Sequence, residues 1–551
     1  MRHPFAWSLT AAAAVMLSLA ASHPIAAQNG VALTGQVTSE KEGAMEGVVV
    51  SAKKAGSIVK VSVITDAQGR YSFPEDRLEP GDYTITIRAV GYDIGTPTKA
   101  TVATEKTSTA DIRLKPTRNL ASQLTNAEWM MSVPGAEDQK ALLLNCTSCH
   151  TLERIVRSTH DADEWTHVVT RMMGYGAVSQ PIKPQRMLDT ERAGTPEQYR
   201  KFAEYLATIN LSAVDKWQYP LKTLPRPQGR ATHVIITEYD VGRPTTEPHD
   251  VVLDKEGNVW YSDFGEMFIS KFDPKTLKLT EYPVKKYKPN APEGQLSLEF
   301  DTQGKLWFDT MYQGSLGTID PKTGETKFYP LPAKWNDNRV QLNFVGLRHD
   351  VDGKVWTKSV GTQDIFRLDI ASGEWDKFHP TDKLSGGRHS IYQVISDSKN
   401  NLWMAEFVDG YIGKIDAKTG AVTWYDLPTA HGRARRMQID DQDRILLTEY
   451  RGNAVAVFDT RAEKFVNEYK LPTQYSGPYR AAIDKNGEVW VAGMQTDRAI
   501  RLDPRTGQTV EYLMPSDTNM RSLVMDNSTS PVTFWTGSNH AHALVKVEPL
   551  D

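Results

Sequence analysis

The sequence predicts a multidomain, mainly β protein in which a small β-sandwich and a small all-α domain precede a seven-bladed β-propeller. Three observations carry this. Apolar and polar residues alternate with period two from Val31 to about Pro116, broken by Gly, Asp and Pro turns. Apolar residues then take up helical spacing between about Leu124 and Ala213. From about Ala231 to the end, one pattern, Asp-x-x-Gly followed by an aliphatic residue and a tryptophan, returns seven times. At 551 residues the chain exceeds what one hydrophobic core serves, so about two to four domains are expected.

The chain begins Met1-Arg2-His3, continues with an apolar run from Trp7 to Ala21, and reaches Pro24-Ile25-Ala26-Ala27. A basic start, a short apolar stretch and a small-residue site are the parts of a signal peptide, here residues 1–27. The alternative is a membrane anchor, but the run falls short of the ~20 apolar residues a spanning helix needs. No other stretch could span a bilayer, so no membrane span is expected after cleavage. A formal charge of -4 gives no basic surface for nucleic acid and no polybasic membrane anchor.

Residues 31–116 contain short alternating segments such as Leu33 to Val37 and Tyr83 to Ile87, about seven strands in all, which fit a small sandwich. The series Gly35-Gln36-Val37, Gly47-Val48-Val49-Val50, Thr65 to Phe73, Gly81-Asp82-Tyr83 and Gly91-Tyr92 resembles the carboxypeptidase regulatory-like domain. That resemblance implies a prealbumin-like β-sandwich that accompanies other modules. No His/Glu zinc constellation is present, so no chemistry is expected of it.

After a polar linker, Asp138 to Leu144 leads as a helix into Cys146-Thr147-Ser148-Cys149-His150. Two thiols separated by two residues can add to the two vinyl groups of a haem, and the adjoining histidine can then ligate the iron. The alternatives are a disulfide or half a zinc site, but these are the chain's only 2 cysteines and nothing completes a tetrahedral cage. Farther on, Glu164, Trp165, Val168, Val169, Met172 and Met173 share helical spacing. Thr195-Pro196-Glu197 opens a last helix running to about Ile209. Residues 124–212 resemble a small all-α cytochrome c domain, which implies one covalent haem c with Cys146, Cys149 and His150 as its anchors. The resemblance also implies a sixth iron ligand. Met187, in the loop after Pro181 and Pro184, and Met172 are the candidates, with His160 or His167 as bis-histidine options. A haem attached outside the cytoplasm and a signal peptide together point to a periplasmic or secreted protein.

The repeats of residues 231–551 begin at Asp254, Asp301, Asp350, Asp397, Asp440, Asp484 and Asp526, a period of roughly 43 to 49 residues. Four strands per unit make a propeller blade, and seven blades close a ring. A strand signature such as Glu281-Tyr282-Pro283 ends six units. Its seventh copy, Thr237-Glu238-Tyr239-Asp240, stands before the first unit, while the last unit ends without one. His233 to Tyr239 should therefore complete the last blade, which disfavours the alternative of an open solenoid.

Loops entering the innermost strands carry Glu247, His249, Glu293, Asn343, Arg388, His389, Arg433, Arg435, Arg436, Tyr479, Arg480 and Arg521. This composition suggests an anionic ligand or a divalent metal on Glu247 and His249, against a solvated rim of self-satisfied ion pairs. With Trp403-Met404-Ala405-Glu406 and Leu447-Thr448-Glu449, the repeats resemble the virginiamycin B lyase family. The resemblance implies magnesium-assisted elimination that opens a cyclic depsipeptide. Glu247-Pro248-His249, Gly477-Pro478-Tyr479 and Arg388-His389-Ser390-Ile391 match its loops, which implies Glu247, His249, His389 and Tyr479 as catalytic residues and Mg2+ at the propeller. The ring positions differ, because the loops flanking Glu247 and His249 here hold Asn519 to Arg521 and Pro292 to Gly294.

A covalent haem beside a funnel is of no use to a lyase. The expected function is therefore electron transfer coupled to a redox partner protein or a small-molecule substrate at the propeller. A metal-dependent lyase and a non-catalytic binding protein are the alternatives, so the enzyme class stands between oxidoreductase and lyase. No Gly-rich dinucleotide motif is present.

Overall fold

One carboxylate organises most blades. Asp254 Oδ1 accepts the amides of Glu256 (3.1 Å) and Asn258 (2.8 Å), closing the turn, while Oδ2 accepts the Trp260 indole N–H at 2.9 Å. Gly257 occupies the left-handed position of that turn, φ 84°. The same indole bond is made by Asp301 to Trp307 (2.9 Å), Asp397 to Trp403 (3.0 Å) and Asp484 to Trp490 (3.0 Å). Each indole also lies face to face with the aromatic of the outer strand. Trp260 and Tyr282 are 5.3 Å apart, Trp307 and Tyr329 5.4 Å, and Trp490 and Tyr512 6.0 Å. Such pairs contribute about 0.5–1.5 kcal/mol beyond their burial. The third, fifth and seventh repeats depart from the rule; in the seventh, Asp526 accepts from the Ser528 amide and hydroxyl. His349–Asp352 is helical, so Trp356 donates to the Asn400 carbonyl instead; Leu446 has no side-chain N–H, and Asp440 accepts from Arg444.

The computed structural model covers residues 30–96, 98–188, 194–211, 217–386 and 389–551; the segment read as a signal peptide and Arg388 lie outside these. Six four-stranded antiparallel sheets follow one another from Pro248–Leu253 to Thr509–Leu513, as blades 1 to 6. Blade 7 consists of Val524–Asp526, Thr533–Ser538, Ala543–Pro549 and the early strand Val234–Asp240. Val234–Asp240 pairs with Ala543–Pro549 in unbroken antiparallel register, and Tyr239 stacks on Trp535 at 5.4 Å. The innermost strands of blades 7 and 1 touch, so the ring is closed from both ends of its sequence.

Residues 31–116 form two sheets around a core of Leu33, Val37, Val50, Phe73 and Ile85, with ten strands where about seven were expected. The sandwich does not stand apart. Its strand Val59–Ile64 pairs antiparallel with Val234–Asp240, so half of the sandwich and blade 7 form one eight-stranded sheet. Lys60 and Glu238 are paired across this seam at 2.5 Å, and Arg77 grips Glu548 through two bonds of 2.9 and 3.1 Å. The blade edge that would otherwise be open is thereby covered.

Between them lies a small all-α unit with helices Asn126–Ser132, Glu137–Leu143, Glu153–Val156, Ala162–Met172 and Pro196–Ile209. Thr125, Asp161 and Thr195 close capping boxes with Glu128, Glu164 and Gln198. Trp129, Leu143, Leu152, Trp165, Leu206 and Ile209 fill its core. The architecture is thus multidomain and mainly β, with few helices. Among the described residues no helix is long and apolar enough to cross a membrane.

Candidate functional site

Inner strands of a propeller alternate their side chains, so only every second residue would face the axis. Here β-bulges change that. The register shifts between Pro248 and Val251, between Ala434 and Met437, and between Pro478 and Ala481. A bulge re-aims consecutive residues. These bulges bring forward His249 with Asp250, Arg435 with Arg436, and Tyr479 with Arg480.

The side chains so presented form one buried chain. Arg436 donates to both oxygens of Asp250 at 2.8 and 2.6 Å, and Asp250 Oδ1 lies 2.8 Å from His249 Nδ1. His249 Nε2 lies 3.3 Å from the Tyr479 hydroxyl, which in turn meets the Tyr392 hydroxyl; Arg435 reaches Tyr392 at 3.4 Å. Arg435 also lies over the rings of Tyr479 (4.0 Å) and Tyr450 (4.2 Å). Burial would raise the Asp250 pKa, but the Arg436 guanidinium outweighs it and holds the carboxyl well below the usual range. Burial pushes His249 down to about 4, so the ring is neutral at pH 7. With Asp250 ionised, Nδ1 carries the proton and donates to it. Nε2 therefore accepts from Tyr479, and the arrangement can take a proton from the phenol side.

Glu247 is buried and its Oε2 has no hydrogen-bond partner. Burial raises its pKa well above the usual carboxylate range, with Arg521 the main opposing charge. Lys358, enclosed beside Phe344 and Tyr392, is driven well below the ordinary ammonium range by burial. His389 lies elsewhere. It is buried on blade 4, with Nδ1 3.5 Å from Asp409 and its ring toward Tyr411, and it does not join the chain from Arg436 to Tyr392. Among the described residues no group of three His, Cys, Asp or Glu side chains is arranged to hold a metal ion. Both nitrogens of His249 are already engaged.

The funnel is covered by the helical unit. Asn519 Nδ2 donates to the Thr147 carbonyl and Gln495 Nε2 to the Thr147 hydroxyl, both at 2.9 Å, and Arg521 donates to the Ser148 carbonyl. Farther round the ring, the loop 175–186 is fixed over blades 1 and 2. The Ala177 amide donates to the Tyr312 hydroxyl (2.9 Å), Gln180 to the Thr245 carbonyl (2.7 Å), and the Glu293 amide to Gln185 (2.7 Å). Gly294 permits this approach, since a Cβ there would meet the Phe264 carbonyl at 2.2 Å and Val178 at 2.9 Å.

The Cys-x-x-Cys-His stretch thus lies against the funnel mouth. Cys146 and Cys149 are unpaired; burial pushes the Cys146 thiol up to about 12 and raises Cys149 as well, with Arg521 partly offsetting the latter. His150 Nδ1 is 3.0 Å from the Thr151 carbonyl, which fixes the proton there and leaves Nε2 as the free lone pair. Burial lowers the His150 pKa. Met172 is 41% exposed, whereas Met187 packs against the cluster of Val178, Phe264 and Tyr312. His167 is exposed on Ala162–Met172, while His160, half-buried just before that helix, lies 3.5 Å from Glu164 and packs against Trp165. A groove of about 440 Å³ between Leu144 and the Tyr450 and Tyr475 loops opens beside the stretch.

Asp250 and Tyr392 did not emerge from the sequence. Asp250 was detectable in principle, since it follows His249 directly, but strand alternation argued against both facing inward. Tyr392 had no motif to mark it.

The carboxypeptidase regulatory-like domain matches residues 32–115, and the virginiamycin B lyase family matches residues 381–550, the later part of the ring. The propeller is therefore virginiamycin B lyase-like and follows a regulatory-like sandwich. Among solved structures, virginiamycin B lyase from Staphylococcus aureus is similar at 21% identity over 57% of this chain and 99% of its own, TM-score 0.48. A streptogramin B lyase structure is similar at 20% identity over 58% and 99%, TM-score 0.49. The extracellular domain of a one-component system from B. thetaiotaomicron is similar at 18% identity over 55% and 40%, TM-score 0.43. No curated protein matches the chain.

Proposed function

We propose that the chain is an exported c-type haem protein whose helical unit, residues 124–212, is a cytochrome c domain serving electron transfer at a propeller. The observation that carries this reading is the state of the Cys-x-x-Cys-His stretch at the funnel mouth. Its two thiols are unpaired, its histidine keeps Nε2 free, and its backbone is clamped by Asn519, Gln495 and Arg521. Cys146 and Cys149 would hold haem c by thioethers and His150 would ligate its iron; bound there, the group supplies one-electron chemistry. The trapped Trp129 and Trp165 indole N–H groups, buried without acceptors in the helical core, fit a pocket that takes a polar-edged group. The propeller clamp would hold Thr147 and Ser148, and with them the two cysteines, in a fixed orientation. Tyr479, His249 and Asp250 provide a proton acceptor beneath, and the adjoining groove is the route for a small-molecule substrate or a partner's electron.

The test is an optical spectrum and redox titration of protein produced with the c-haem maturation system, beside a Cys146→Ala, Cys149→Ala variant. Covalent haem with a reversible one-electron couple, lost in the variant, is expected. Absence of covalent haem in the wild type contradicts the proposal.

A second reading is favoured by the Tyr479–His249–Asp250 contact and by the family match over residues 381–550. It is acid–base elimination at the funnel, with Tyr479 and His249 passing the proton and no metal assisting, since the described residues assemble no metal-ligand group there. Ring opening of a cyclic depsipeptide, lost on His249→Ala, would favour it. Absence of turnover by protein with the clamp loosened, Asn519→Ala with Arg521→Ala, would exclude it.

A further inference from the structure

We infer that the sixth iron ligand comes from the propeller, as Nε2 of His540. The inference rests on haem attachment at Cys146 and Cys149 as proposed above. His540 stands in the turn between Thr533–Ser538 and Ala543–Pro549 of blade 7, on the face that carries the helical unit. Its Nε2 is fully enclosed and has no hydrogen-bond partner, and the ring lies within electrostatic reach of His150 and Arg521. A buried nitrogen without a partner is uncommon and calls for an explanation.

The surroundings fix it in place. The neighbouring Asn539 amide donates to the Thr518 carbonyl at 2.9 Å, and the Thr518 amide donates to Asp497 at 3.0 Å. The next residue, Asn519, holds Thr147 of the Cys-x-x-Cys-His stretch. One loop therefore positions His540 and clamps the cysteines. Both imidazoles present a free Nε2, His150 because Nδ1 is taken by Thr151 and His540 because nothing reaches it.

The competitors in the helical unit are placed less well. Met172 and His167 are exposed, His160 is engaged by Glu164 and Trp165, and Met187 is packed onto the propeller cluster around Phe264 and Tyr312. Ligation by His540 would tie the two units through the iron and give a lower reduction potential than a methionine ligand.

The test uses haem-loaded full-length protein and the variants His540→Ala, His540→Met and Met187→Leu, read by optical and electron paramagnetic resonance spectra and by redox titration. The wild type is expected to be low-spin without the long-wavelength sulfur-to-iron band. His540→Ala should become high-spin and return to low-spin on addition of imidazole, which also shows that it is folded. His540→Met should gain the sulfur band with an upward shift in potential, and Met187→Leu should match the wild type. A sulfur band in the wild type that Met187→Leu abolishes, or a spectrum that His540→Ala leaves unchanged, overturns the inference while leaving the haem reading intact. Absence of covalent haem overturns both.

Discussion

Arg436→Met tests the buried chain most sharply. The Asp250 and Arg436 side chains are 1% and 2% exposed and share bonds of 2.8 and 2.6 Å. Removing the guanidinium takes both of its hydrogen bonds from a buried carboxylate and leaves only Arg480, at 3.9 Å, as a charged partner, which costs about 3–5 kcal/mol. At about 2 °C per kcal/mol for a unit of this size, the melting temperature should fall by ~6–10 °C at pH 7. The pH dependence follows from the depressed pKa of Asp250. Its contribution is fully present above the unfolded pKa of about 3.9 and is lost as pH falls toward the lower folded value. The stranded carboxylate of the variant also protonates in acid. The gap between wild type and variant should therefore be small below about pH 4, widen as pH rises through the raised pKa of the stranded carboxylate, and level off above it. Asp250→Asn added to Arg436→Met removes the unpaired charge, keeps an acceptor for His249, and should recover most of the loss. Circular dichroism melts across pH provide the assay. A loss under about 1 kcal/mol, or no recovery in the double variant, would refute the argument that the pair is buried and coupled.

Glu247→Gln should behave oppositely with pH. A raised folded pKa gives stability that is complete below the unfolded value of about 4.3 and declines as pH rises. The variant should gain on the wild type in melting temperature from pH 5 to 8, and a pH-independent difference would contradict the burial of the charge. Trp260→Phe removes the 2.9 Å indole bond to Asp254 and should cost about 1–2 kcal/mol in denaturant melts, whereas Leu446→Phe in blade 5 breaks no such bond. Removing residues 30–116 bares the edge of Val234–Asp240. Size-exclusion chromatography should show association, and an unassociated monomer with unchanged melting would refute the role given to the seam.

The ring was legible because each blade repeats the same local solution. The aspartate that closes a turn also holds an indole, and the indole stacks on an outer-strand aromatic, so Asp, Gly, Trp and Tyr recur in register. The displaced strand His233 to Tyr239 was legible for the same reason, since Tyr239 needs Trp535. The helix starting at Thr195 was legible from its cap. The seam between Val59–Ile64 and Val234–Asp240 was not, because strand pairing between distant segments leaves no mark beyond ordinary alternation. At the site, Glu247, His249 and Tyr479 stood out by their loops. Resemblance alone put His389 with them, and packing against Glu406, Asp409 and Tyr411 keeps it apart. That Tyr479 reaches His249 across an intervening blade depends on two bulges, which sequence alternation hides. The covering of the funnel depends on single polar contacts from Gln495, Asn519 and Arg521, which no periodicity announces.

The most direct measurement is the intact mass of the purified, denatured protein after expression with c-haem maturation, with thiol alkylation run in parallel. The account predicts a mass raised by one haem, with neither Cys146 nor Cys149 open to alkylation. The bare polypeptide mass with both thiols alkylated would contradict it.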